Sequence, residues 1–149
     1  MTRPKLDNQT ARRLFLDRHL LLQRGSGPGR GEDLDGVLDT LGFVQVDSVN
    51  TLARAHDLIL WSRRGQYRPR FLEDLVGRRR TAFEHWTHDA AVIPMSFYPM
   101  WRLKFERDKA RMEGRWSRDR RAGWEDQISA VERHIADNGP TSSLDVGGA

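Results

Sequence analysis

Gln45 and Asp47 stand two residues apart in the run Phe43-Val44-Gln45-Val46-Asp47-Ser48-Val49-Asn50. An amide and a carboxylate at that spacing share a face only on extended backbone, where residues i and i+2 project together. On a helix they would point well apart. The run is short, β-branched and bounded by Gly42, which predicts a strand. Val44 and Val46 then face the core, and Gln45 and Asp47 project together from the other side. A carboxylate there can stabilise a developing positive charge or activate a water. The neighbouring amide can hold that water by hydrogen bonds. Two plainer accounts compete: the polar residues of a half-buried strand simply face water, or Asp47, Ser48 or Asn50 caps the next helix.

The elements around this pair are mostly helical. Asp7 can cap a helix running to about Gln23, with Ala11, Leu14, Phe15 and Leu22 as its stripe. The glycine-rich segment Gly25–Gly31 predicts a loop. A second helix spans about Glu32–Leu41 through Leu34, Val37, Leu38 and Leu41, and Gly42 suits its C-terminal end. After the strand, Leu52, Ala55, Leu58, Ile59 and Ser62 predict a helix from Val49 or Asn50 to Arg63, with Trp61 in the core. Pro69 opens another helix, lined by Phe71, Leu72, Leu75 and Val76 and ended by Gly77-Arg78-Arg79-Arg80. Thr81–Trp86 reads as a strand or hairpin arm. A charged helix over about Met100–Met112 follows. A last helix over about Arg121–Asp137 turns Trp124, Ile128, Val131 and Ile135 inward. Three helices followed by an extended pair is the plan of a winged helix. The expected fold is mostly α with short β elements, a winged helix-turn-helix domain. The expected divisions are 1–100 for that domain with the Gln45/Asp47 motif, 101–139 for a charged helical connector, and 140–149 for the start of a second such module.

The chain has 149 residues, 38 % hydrophobic and 31 % charged, with a net charge of +4. It has no cysteine, so disulfides and thiolate metal sites are excluded. No apolar run is long enough to span a membrane, and the N-terminus lacks the apolar block of a signal peptide. The simplest location is the cytoplasm, with the nucleoid as neighbour. Arginine far outnumbers lysine. That suggests a polyanionic partner, or equally an arginine-biased genome. Trp101–Arg121 holds nine Arg or Lys against four acids. Such a stretch is either a solvated helix face or a phosphate-tracking surface whose binding falls with salt.

Other candidates are weaker. His85 and His88 lack a third ligand, so no metal site is expected. The Gly25–Gly31 glycines lie between two helices and lack the lysine of a phosphate-binding loop. No cofactor is expected. On position alone Arg54 and His56 are ordinary surface or interface residues of the helix after the motif. Arg78 and Arg79 either contact a DNA backbone or complement a helix C-terminus.

The segment LGFVQVDSVNTLARAHDLILWSR, followed by FEHWTHDAAVIPM, resembles the crosslink-repair DNA glycosylases of the YcaQ (AlkX) type, relatives of the AlkZ glycosylase. The resemblance runs from Leu6 to about Val146. It rests on the Gln-apolar-Asp element, the Arg-Ala-His and Leu-Trp-Ser-Arg after it, and the Glu-x-Trp-x-His segment at Glu84, Trp86 and His88. It implies tandem winged helices, of which this chain carries the first module. It implies excision of N7-alkylated purines and unhooking of interstrand crosslinks, with Gln45 and Asp47 as the catalytic pair. The implied partner is double-stranded DNA with alkylated bases, and Arg54, His56, Arg63, Arg78 and Arg79 are the residues assigned to its backbone. Glu84, Trp86 and His88 are expected to pack the wing. The alternatives are a non-catalytic winged-helix DNA-binding protein, such as a regulator, and a truncated product without activity of its own.

Overall fold

A computed structural model of the chain describes residues 5–22, 24–116 and 124–141. The chain divides into two compact units, with the boundary between Arg102 and Leu103.

The first unit opens with α1 (Asn8–Arg18), capped by Asp7, whose carboxylate accepts from the backbone N–H and hydroxyl of Thr10 at 2.9 and 2.7 Å. These bonds hold the Asp7 carboxyl below its ordinary range. The helix stops at Arg18, short of Gln23, and its Leu14 and Phe15 are exposed rather than buried. α2 (Glu32–Leu41) follows, then β1 (Val44–Gln45), α3 (Ala55–Arg63) and α4 (Pro69–Asp74). A π-helical turn, Leu75–Arg79, prolongs α4. β2 (Ala82–Trp86) and β3 (Ala90–Pro94) form a hairpin, and a 3₁₀ turn at Met95–Phe97 leads into α5 (Tyr98–Trp116).

The three strands form an antiparallel sheet in the order β1-β3-β2. Val44 pairs with Val92, and Gln45 with Ala91. The central strand is buried from Ala91 to Pro94. One side meets the main core: Leu34, Val37 and Leu38 of α2, Leu60 of α3, Leu72 of α4 and Leu75, together with Val44, Tyr67, Ala82 and Val92. Phe83, across from Ile93, meets Tyr98 and Trp101 edge-on at centroid distances of 5.4 and 6.2 Å. Trp101 also donates its indole N–H to His85 Nδ1 at 3.1 Å. The hairpin is thus anchored by aromatic packing, whereas Trp86 and His88 stay exposed.

Two glycines are dictated by geometry. Gly42 ends α2 at φ +82°, where a side chain is strained, and its N–H reaches Leu38 O at 2.8 Å. A Cβ on Gly25 would lie 2.1 Å from the Arg63 carbonyl oxygen, so only glycine allows that approach. The same loop is tied by Asp33, which accepts from Gly29 N–H at 2.8 Å and from Arg64 Nε at 2.8 and 3.0 Å.

In the second unit, Lys104 and Arg111 both pair with Asp108 on α5, at 2.7 and 3.5 Å, and Lys104 holds that carboxyl below its ordinary range. α6 spans Trp124–Asn138 and ends at Gly139. Its Ile128 and Ile135 are exposed, against the inward face expected. The expected start of another module lies mostly outside the described residues, as do Arg118, Arg120 and Arg121. Among the described residues no helix is long and apolar enough to cross a membrane.

Tyr67 joins α3 to the segment before α4 by donating its hydroxyl to Asp57 at 2.7 Å. Burial, and then that carboxylate, push the phenol well above its ordinary value. The unfolded phenol ionises near pH 10 while the folded one keeps its proton, so this contribution is full below about pH 10 and lost above it. Tyr67→Phe is expected to be less stable than the parent by about 1 kcal/mol at pH 8 and to decline less steeply above pH 10. Urea unfolding at pH 8 and pH 11 measures both.

Candidate active site

β1 and the loop after it carry the motif. The strand is two residues long, and Val46 N–H continues its register by reaching Ala90 O at 2.7 Å. Val44 is buried, Gln45 is exposed and Val46 packs against the core, so the expected alternation holds through Val46. Asp47 lies beyond the strand. The ladder with β3 ends at Val46 N–H, so strand pairing is not what holds Asp47.

Two hydrogen bonds fix Asp47 instead. Its carboxylate Oδ1 accepts from Val49 N–H at 2.8 Å, which closes a tight side-chain turn. Its own N–H donates to Nδ1 of His56 at 3.2 Å. Among the described residues the other carboxylate oxygen and the Gln45 amide have no hydrogen-bond partner, so both can meet a substrate or a water.

His56 is 6 % exposed and sits in the first turn of α3. A ring nitrogen that accepts from a backbone N–H carries no proton, so the imidazole proton sits on Nε2. That atom lies 3.9 Å from Asp57 Oδ2, close enough for attraction and too far for a hydrogen bond. Asp57 is held in turn by Tyr67. The motif is therefore braced through Asp47, His56, Asp57 and Tyr67. Beside this chain is a cavity of about 300 Å³, lined by Val46, Arg54, His56, Asp57, Glu73 and Glu84 among others. Gln45 and Asp47 lie outside that lining.

Two sequence expectations change here. The helix after the motif begins at Ala55, not at Val49 or Asn50. Residues 48–53 form an exposed loop closed by an antiparallel bridge between Asn50 and Arg54. Leu52 and Leu58 consequently leave the core, and Trp61 is 56 % exposed, not buried.

The five residues assigned to a DNA backbone separate. Arg54 is exposed at the start of α3. His56 faces inward, and Arg63 is 8 % exposed, its guanidinium donating to Ile59 O and Ser62 Oγ at 2.9 Å. Burial lowers the Arg63 pKa. His56 and Arg63 both lie on the face of α3 that is turned into the core. Arg78 pairs with Asp74 on the surface, which raises its pKa. Arg79 reaches Asp35 of α2 at 3.0 Å.

Arg78 and Arg79 share a hollow of about 670 Å³ with Arg30 and Arg70. Four arginines from three segments line it, with Asp74 the one carboxylate in the lining, while Arg79 is paired with Asp35. Arg30 and Arg70 were not singled out from the sequence. The signal available was Arg70 next to the helix-opening Pro69, and a lone arginine at that place is too common to decide anything.

His56→Leu removes the acceptor for the Asp47 amide, while His56→Asn can keep one near the same place. A buried donor left unpaired is worth about 1–3 kcal/mol, so hydrogen exchange at the Asp47 amide is expected to quicken about tenfold or more in His56→Leu and much less in His56→Asn. Exchange read by NMR on folded samples of both variants checks this.

Residues 38–149 match the sequence model of a family described as DNA glycosylase AlkZ-like. No solved structure matches the chain. The matched region contains β1, Asp47, the bracing residues of α3 and the whole hairpin, and it covers well over half of the sequence. With the Gln45-Val46-Asp47 element and its braced aspartate inside that match, the chain belongs to the AlkZ-like family of DNA glycosylases.

Proposed function

We propose that the chain carries the catalytic centre of a repair glycosylase that hydrolyses the N-glycosidic bond of N7-alkylated purines, including those that form interstrand crosslinks. The observation that carries this reading is the Asp47 carboxylate, with one oxygen fixed by Val49 N–H and the other without a partner among the described residues, as is the amide of Gln45. Cleavage breaks the bond between the sugar C1′ and the base nitrogen and develops positive charge on the sugar. A fixed carboxylate stabilises that charge with little reorganisation. Asp47 orients a water and takes its proton as the water oxygen bonds to C1′, and Gln45 holds the water or the sugar. N7 alkylation makes the base cationic, so the electrons of the broken bond neutralise the leaving group. No second carboxyl is then needed as an acid. No lysine stands near the motif in sequence, and the product is an abasic site.

The order α2, β1, α3, α4, β2, β3, with the hairpin beside β1, supports a winged helix in which α4 takes the place of the DNA-reading helix. The arginine hollow at the ends of α4 supports a phosphate contact at Arg30, Arg70, Arg78 and Arg79. A phosphate would compete there with Asp74 and Asp35, so binding should be salt-dependent.

Base release from duplex DNA carrying N7-methylguanine tests the reading. Asp47→Asn is expected to slow release by about a hundredfold or more while duplex binding persists. Binding by the parent chain without any release would favour the non-catalytic DNA-binding protein instead.

A further inference from the structure

The loop after Asp47 exposes its apolar residues. Asn50 and Arg54 pair across an antiparallel bridge, which leaves Thr51, Leu52 and Ala53 as a three-residue turn. Leu52 is at the apex and is 89 % exposed, the highest value of any large hydrophobic residue described. Val49, on the near side of the bridge, is also exposed. A solvated turn ordinarily carries polar residues at its tip, and a leucine held out on a closed turn is a group with nothing in its own unit to bury it.

Two features indicate what covers it. The only charged residue from Ser48 to Arg54 is Arg54 itself, exposed at the base of the turn, so the excursion is apolar at its tip and cationic at its foot. That is the pattern of a side chain entering a base stack beside a phosphate backbone. The turn is also tethered to the motif: Leu52 is five positions after Asp47, a span of at most about 18 Å, and the closed turn shortens it.

We propose that Leu52 is a wedge that enters the stack of duplex DNA at the place vacated when the target nucleotide is turned out toward Asp47, with Arg54 on the adjacent phosphate. This rests on the glycosylase reading above. An enzyme acting on an alkylated base that is not joined to the opposite strand reaches it by extruding that nucleotide, and leucine is among the residues that part base steps in this way. The wedge does no chemistry. It fills the gap and holds the nucleotide out.

The test has two arms, using the whole chain, Leu52→Ala and Leu52→Phe. Leu52 makes no core contact, so both variants should fold. In the first arm, N7-methylguanine release is compared between duplex and single-stranded DNA. The duplex-to-single-strand ratio is expected to fall about tenfold in Leu52→Ala, because unstacking is needed only in the duplex, and to return in Leu52→Phe. The second arm needs no turnover. A duplex carrying a tetrahydrofuran abasic analogue opposite 2-aminopurine is titrated with each protein. The parent and Leu52→Phe are expected to change the 2-aminopurine fluorescence on binding, and Leu52→Ala to bind without that change. An equal ratio or an equal fluorescence change in all three proteins overturns the wedge, as does absence of duplex binding by the parent. If the parent releases no base from either DNA, the glycosylase reading fails, and the fluorescence arm alone decides for or against Leu52.

Discussion

The hydrogen bond from the Asp47 N–H to Nδ1 of His56 joins the motif to the body of the protein. The sheet does not reach it, because the hydrogen bonding of β1 to β3 ends at Val46 N–H, one residue short of Asp47. The backbone at Asp47 would otherwise be free to follow the exposed loop. Instead it is pinned to a buried imidazole in the first turn of α3, and the direction of the bond fixes the ring's tautomer. Asp57 and Tyr67 extend the brace to the segment before α4. The role proposed for Asp47 requires a carboxylate held still by groups that are themselves held, and this chain of contacts supplies that support.

The bracing depends on a core that leaves α3 little freedom. Leu60 is fully buried among residues of α2, α4 and the sheet, and Arg63 is drawn inward at the end of the same helix. Arg64, next to it, is clamped by Asp33 of α2. The cationic surface is consequently less open than composition suggests. Arg63 is buried, Arg64, Arg78 and Arg79 are paired, and on α5 Asp108 engages Lys104 and Arg111. Exposed pairs of this kind are weak, and a phosphate can displace the carboxylate. In the proposed DNA contact the positive surface would act through exchange of partners.

Much of this was legible in the sequence. Leu34, Val37 and Leu38 at helical spacing, closed by Gly42, gave α2. Pro69 marked α4, and Val44-Gln45 showed its alternation over two residues. The misreading fell on residues 48–54. Leu52 lies in step with Ala55, Ile59 and Ser62, so a helical period runs through it, but the Asp47 side-chain turn and the Asn50–Arg54 bridge keep the backbone out of helix until Ala55. Local hydrogen bonding by an aspartate competes with helix formation in this way, and periodicity does not register it. Trp61 was read inward on size, while α3 buries the face that carries His56, Leu60 and Arg63. The brace itself was not legible. Nothing in the spacing of Asp47 and His56, nine residues apart, says that a backbone N–H and a ring nitrogen will meet.

The most direct measurement of this account is the protonation pattern of His56, read by long-range ¹H–¹⁵N correlation in the folded chain near neutral pH. A neutral ring with its proton on Nε2 and a bare Nδ1 is the result expected if the Asp47 amide is bound there. A proton on Nδ1, in either the other neutral tautomer or the imidazolium, would contradict the bond and with it the account of how Asp47 is held.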